Sequence, residues 1–299
     1  MRNYLRRVFD KVLVEWGFDL VKLDFLYAVA LAPRIGTKVP RCRGEIMCDA
    51  MDLLRELVGS KQILGCGVPL GPAFGKVDYC RIGCDVGLGW DDREAAMVHY
   101  RERISTVTSI TNAIGRRHLD GRAFWNDPDV FLLRDEANSL SKNQRHSLFL
   151  ANIIFGNLVF TSDDISKYTT GENGILKTYL SQFPFTERRI DSVKFLNTEY
   201  AWKPRSTILQ WALGEYPYAN VALVRFSARS ENCEWESRFA AFNLGAKEVQ
   251  VKLPEGEWWA GSVKSLSSEA VVLEPFESRC WGRLPSSVEL QSNGRNADV

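Results

Sequence analysis

Leu5, Val8, Phe9, Val12, Leu13 and Trp16 recur at the spacing of one helical face, and Gly17 closes the pattern. The run Asp19-Leu20-Val21-Lys22-Leu23-Asp24-Phe25 then reads as a strand over 19–25. A second helical pattern covers 43–58, with Met47, Ala50, Met51, Leu54 and Leu57 inward and Gly59-Ser60 as its stop. Strands follow at 62–66 and 77–85, separated by a Gly/Pro-rich stretch too short for a crossover helix. A long pattern predicts a helix over 92–115, and Arg122–Trp125 reads as a strand that enters Asn126-Asp127-Pro128-Asp129. A helix over 141–156, a strand over 158–160 and a helix over 172–183 complete the alternation. Strands alternating with helices read as parallel βα units.

Beyond about residue 190 the period changes from helical to two. Short alternating runs at 207–213, 222–226, 237–243 and 249–253 are separated by turn residues, with no helical pattern between them. This predicts an antiparallel β-sandwich. The expected organisation is therefore 1–187 as a βα domain, 188–285 as a sandwich and 286–299 as a polar tail.

Composition narrows the class. Of 299 residues, 45% are hydrophobic and 25% charged, as in ordinary globular domains. A net charge of +1 gives no electrostatic reason for nucleic acid or an anionic membrane as partner. No apolar run reaches the roughly 18–20 residues of a membrane span. Seven scattered Cys, with no CxxC pair and no export signal ahead of them, predict reduced thiols in a cytoplasm. His99, His118 and His146 stand at no ligand spacing, so no metal site is expected.

The predicted strands end at Asp24, Cys66, Asp85, Trp125 and Phe160. In a βα barrel the strands' C-terminal ends carry the chemistry. Two acids at two such ends suit glycosidic bond cleavage, one attacking or steadying the sugar carbon and one protonating the departing oxygen. Lys22 and Asp24, two apart in a strand, point to the same side, and the ammonium favours an ionised Asp24. Arg81 and Asp85 form Arg-x-x-x-Asp. Each motif also has a bland reading: Asp24 as a helix cap beside a surface lysine, Arg81–Asp85 as an exposed ion pair, Trp125–Asp129 as a polar turn. Cys66, with no nearby His and no acidic partner in sequence, reads as a small pocket-lining or buried thiol rather than a nucleophile.

The order of these motifs carries more than any one of them. Lys22-Leu23-Asp24, Leu64-Gly65-Cys66, Arg81-Ile82-Gly83-Cys84-Asp85, Trp125-Asn126-Asp127-Pro128-Asp129 and Ser162-Asp163-Asp164-Ile165, in that sequence, resemble the α-galactosidase (melibiase) superfamily. Glycoside hydrolase family 36 is the better fit, with family 27 its relative. The resemblance implies Asp24 as nucleophile and Asp85 as acid/base, with Lys22, Cys66, Arg81 and Asp129 around the sugar. It also implies a retaining mechanism, an α-galactoside substrate and no cofactor.

A complete (β/α)8 barrel needs eight units and about 250 residues. The stretch 1–187 supplies five units. The expected fold is thus a partial TIM barrel, its last five βα units, followed by the sandwich, as in the C-terminal part of such an enzyme. The expected function is a retaining exo-α-galactosidase. The alternatives are a related α-N-acetylgalactosaminidase and a non-catalytic fragment, and either a homo-oligomer or a complementing N-terminal segment is a candidate partner.

Overall fold

The computed structural model describes residues 2–31, 41–92, 94–95, 98, 103–182, 187–196, 221–229, 235–260, 263–267 and 269–282. The amphipathic N-terminus forms α1 (Arg2–Phe9), continued by a π-helical segment over Asp10–Glu15, and buries Phe9 and Leu13. Strand β1 (Leu20–Leu23) follows. Helix α2 (Arg43–Val58) begins at a reciprocal cap: Glu45 N donates to Cys42 Sγ while the Glu45 carboxylate accepts from Cys42 N. Its Met47 and Met51 are fully enclosed.

Strands β2 (Gln62–Gly65), β3 (Tyr79–Arg81) and β4 (Trp125–Asp127) pair with β1 in one parallel sheet, in the order β1-β2-β3-β4. A single helical turn, α3 (Leu70–Ala73), lies between β2 and β3, and α4 (Thr106–Gly115) between β3 and β4. A second parallel pair joins β5 (Val130–Phe131) to β6 (Phe160–Thr161) across α5 (Lys142–Phe155). Helix α6 (Thr170–Gln182) follows. Among the described residues no helix is long and apolar enough to cross a membrane.

Four expectations change. Among the described residues, the helix expected over 92–115 is not continuous: 94–95 are helical, and α4 starts anew at Thr106. Ser105 is extended and its hydroxyl accepts from Thr108 N, which fixes the helix start. Val98 N still donates to Glu94 O, so an earlier helical turn exists, but 103–105 interrupt it. The strand expected at 122–125 starts instead at Trp125 and includes Asp127, because Trp125 N pairs with Asp78 O in register with β3. The expected 77–85 strand shortens to Tyr79–Arg81, since Asp85 belongs to a loop. The 158–160 strand falls on Phe160–Thr161, and its partner β5 had no sequence signal at two residues long. The five expected strand ends are therefore divided between two parallel sheets. The run 207–213, the tail 286–299 and His99 lie outside the described residues.

The C-terminal region is antiparallel. Strands β7 (Glu187–Leu196), β8 (Val221–Arg229), β9 (Glu236–Asn243), β11 (Glu257–Ala260), β12 (Val263–Leu266) and β14 (Ser278–Gly282) form a six-stranded sheet in the order β12-β11-β14-β9-β8-β7. Strands β10 (Val249–Lys252) and β13 (Ala270–Leu273) form a separate pair. Val221, Phe239, Ala241 and Trp281 of the large sheet share a core with Val251 and Leu273 of the small one. The alternate residues Ala222, Val224, Phe226, Ala240 and Phe242 join the core of the βα region, where Phe242 meets Phe155 of α5. Both faces of β8 and β9 are thus buried, so the alternation expected at 222–226 and 237–243 gives way to burial at consecutive positions.

The two regions are also joined by polar contacts. Ser147 Oγ donates to Phe276 O (2.7 Å) and pairs with Ser278 Oγ (2.7 Å), while Asn143 donates to Pro275 O (3.2 Å). Trp90 meets Phe276 edge-on at 5.3 Å between ring centroids.

Candidate active site

Strand register builds the site. Lys22 pairs with Leu64 and Leu23 with Gly65, Gly65 pairs with Cys80, and Arg81 pairs with Asp127. One step further along each parallel strand, Asp24, Cys66, Arg81 and Asp127 fall in a single row at the C-terminal edge of the sheet. Residues two apart share a face, so Lys22 lies on the same side as Asp24. The opposite side, with Ile63, Cys80 and Asn126, is fully buried.

The chain turns sharply at each end of this row. Phe25 has φ 54°, and the Asp24 carboxylate accepts from its amide (2.6 Å). Gly67 lies directly beneath: Tyr27 N donates to its carbonyl (2.7 Å), and a Cβ there would stand 3.1 Å from Phe25 N. At the far end Asp129 has φ 81°, a conformation that Asp tolerates better than most residues. The Asp127 carboxylate accepts from Asp129 N (2.9 Å), closing an Asx turn around Pro128. Gly156, at the end of α5, makes room for that proline, since a Cβ would sit 2.5 Å from its ring carbons.

Arg81 is the hub. Its Nη1 donates to Asp85 Oδ1 (2.9 Å), its Nε to Asp127 Oδ2 (3.0 Å), and its Nη2 contacts Asp129 Oδ1 (2.6 Å). The other oxygen of Asp129 accepts from Val86 N (2.7 Å), next to Asp85. Burial works against the Arg81 charge, but Asp127 and Asp129 outweigh it and its pKa rises. Burial pushes the Asp129 carboxyl up, with Arg81 pulling the other way. Exposure divides the three carboxylates by role: the Asp85 side chain is 67% exposed, those of Asp127 and Asp129 are 0% and 9%. Of the three, only Asp85 is open to solvent.

Cys66 bridges the two halves of the row. Burial, and then a hydrogen bond to Asp24, push its thiol up to about 12, while Arg81 and Lys22 oppose this. A neutral thiol donating to a carboxylate is a poor nucleophile. The structure therefore brings Asp24, Lys22 and Cys66 together, and Arg81, Asp85 and Asp129 together, with Arg81 near Cys66 as the link.

Sequence reasoning gave no role to two buried acids. Asp127 fixes Arg81, and its signal was the two-residue spacing from Asp129 combined with a register that no single motif reveals. Asp163 accepts from Leu133 N (2.6 Å), Arg134 N (3.2 Å) and Tyr168 OH (2.7 Å), and its other oxygen accepts from Arg134 Nη1 (2.7 Å). It clips the ends of β5 and β6 together. Among the described residues no group of three or more His, Cys, Asp or Glu is arranged to hold a metal ion.

No family model matches the chain. Solved structures do. An α-galactosidase from Thermus thermophilus in complex with stachyose is 28% identical over 60% of this chain and 36% of its own, with a TM-score of 0.50. α-Galactosidase I from Mortierella vinacea is 12% identical, covers 93% of this chain and 70% of its own, and has a TM-score of 0.59. An α-galactosidase from Saccharomyces cerevisiae with raffinose is 8% identical over 91% of this chain and 73% of its own, with a TM-score of 0.56. The chain resembles α-galactosidases. With the Mortierella and yeast proteins it shares a fold across both regions, parallel βα units followed by a β-sandwich. The Thermus relation is the one with substantial sequence identity, and there the chain spans about a third of the other's length.

Proposed function

We propose that the chain carries the catalytic pair of a retaining exo-α-galactosidase. Asp24 attacks the anomeric carbon of a terminal α-galactosyl unit while Asp85 protonates the departing oxygen. Asp85 then takes a proton from water as the glycosyl–Asp24 ester is hydrolysed. The observation that carries this reading is the row Asp24–Cys66–Arg81–Asp127 on the edge where βα folds place their chemistry, with an exposed Asp24 at one end and an exposed Asp85 held by Arg81 from the following loop. The Cys66 thiol donates to the Asp24 carboxylate. Asp85 stands on the same guanidinium as Asp127 and Asp129. Lys22 and Asp129 border the sugar site in this reading, as does Cys66, whose small side chain suits a 2-hydroxyl. All three donor groups of Arg81 face carboxylates and its side chain is 4% exposed, so in this reading it acts on the sugar site by holding Asp85.

The test is hydrolysis of a chromogenic α-galactoside by the chain, with and without a segment that pairs with β1. Asp24→Ala should stop glycosyl-enzyme formation, and azide should restore turnover as the inverted product. Asp85→Ala should spare substrates with very good leaving groups in the first step. The opposite pattern of azide products would exchange the two roles. Absence of all α-galactosidase turnover in the completed form would sink the reading.

A further inference from the structure

Asp127 is the most enclosed charge near the site, and both its oxygens are committed. One accepts from Arg81 Nε (3.0 Å), the other from Asp129 N (2.9 Å). Arg81 is itself 4% exposed and grips Asp85 Oδ1 at 2.9 Å. Asp129 grips the backbone beside Asp85, through Val86 N at 2.7 Å. Two chains of contact therefore run from Asp127 to Asp85, one through the guanidinium to the side chain and one through the Asp129 turn to the loop. A plain structural ion pair would need one such contact. A fork held by Asp127 at Nε and by Asp129 at Nη2 has one orientation, and that orientation aims Nη1 at Asp85.

We propose that Asp127 is a positioning residue for Asp85, acting through Arg81 and the Asp129 turn and setting both where Asp85 stands and how readily it gives up its proton. This rests on the reading of Asp85 as the acid/base.

The groups around Asp85 decide the sign. Arg81 faces it from the end of β3, and Asp127 and Asp129 face the same guanidinium from the end of β4. Cys84 and, behind it, Arg103 lie on its loop side, with Cys84 held neutral chiefly by burial. Asp24 and Lys22 lie across Arg81, beside Cys66. Three carboxylates share one guanidinium, so the cluster is short of positive charge. Replacing Asp127 by Asn keeps the shape and an oxygen for Asp129 N, but removes one negative charge. Arg81 then has fewer claims on it, and Asp85 ionises more easily.

The experiment follows carboxyl titration by NMR in the full chain labelled at Asp Cγ, with Asp85→Asn assigning the Asp85 signal. Asp127→Asn should move the Asp85 midpoint down by about one pH unit, the size expected for a like charge a few ångströms away. The alkaline limb of the pH–rate profile in the completed enzyme should move the same way. A folded Asp127→Asn chain with an unmoved Asp85 midpoint would overturn the proposal. The unaltered chain supplies a second measurement that needs no variant to fold: the Arg81 Nε–H signal should shift at the same pH as Asp85. A signal indifferent to that pH would also overturn it. Both readings come from the protein rather than its turnover, so an inactive chain that shows the shift would reject the proposed activity and leave the positioning role intact.

Discussion

The contact between Trp90 and Phe276 makes the sandwich part of the site's support, and its worth can be estimated. Trp90 closes the loop that starts at Asp85, and its carbonyl accepts from Val107 N (3.1 Å). The loop is also tied by Ser139 N to Leu88 O (2.7 Å) and by Thr106 Oγ1 to Gly89 O (2.7 Å). The remaining side is covered by the Phe276 ring. Phe276→Ala removes a partly buried ring, about half of the roughly 1.5–3 kcal/mol of a fully buried one. It also removes an aromatic pair contributing about 0.5–1.5 kcal/mol beyond burial. The expected loss is about 2 kcal/mol. Phe276 also sits at φ 61°, where a side chain costs about 1 kcal/mol relative to glycine. Phe276→Gly should therefore be more stable than Phe276→Ala by about 1 kcal/mol, although it removes more atoms. Urea unfolding of the three proteins and of a double-mutant cycle with Trp90→Ala would measure both effects. The cycle should give a coupling of about 0.5–1.5 kcal/mol, and amide exchange at Val86 should quicken in either variant. A coupling near zero, or glycine no better than alanine, would refute the reasoning.

Three further outcomes are expected. Burial pushes Cys66, Cys80 and Cys280 up to about 12, so at pH 8 a thiol reagent should label exposed Cys42 and Cys48 and leave those three until the chain unfolds; early labelling of Cys66 would contradict its place beside Asp24. His146 is driven down to about 4, first by burial, so its folded pKa lies below the unfolded one and the stability it contributes is present above about pH 6.5 and lost as the pH falls toward 4. His146→Gln should remove about 2–3 kcal/mol of that acid sensitivity, read as a flatter plot of urea midpoint against pH. Gly156→Ala would drive a methyl into Pro128 and disturb the Asp129 turn, costing about 1–3 kcal/mol as an overpacked site, and an unchanged melting temperature would mean that the turn yields freely.

Legibility in the sequence follows the length and regularity of each signal. Helix α2 was readable because an apolar stripe and a terminal glycine agree over Arg43–Val58, whereas its Cys42 cap showed only in the structure. The 92–115 pattern misled because apolar spacing continues through Arg103–Ser105, while one hydroxyl, Ser105 Oγ, settles the helix start locally. Strands β5 and β6 are two residues each, too short for any period to show. β8 and β9 lack clean alternation because their second face is covered by α5, a fact about tertiary packing.

The site divides along the same line. Asp24 and Asp85 were legible because each ends a strand-like run in a recognisable motif. Asp127 was not, although it belongs to the most distinctive motif in the chain. Its role is fixed by pairing Arg81 with Asp127 across two strands far apart in sequence, and a slip of one residue would turn Asp127 to the opposite face. A motif reports which side chains are present, whereas a parallel register reports which of them share a charge. In this chain the register also explains why Arg81, the residue between the two exposed acids, is surrounded by carboxylates. It has to answer to Asp127 and Asp129 before it can answer to Asp85, so the ionisation of the exposed acid is set from the buried end of the row.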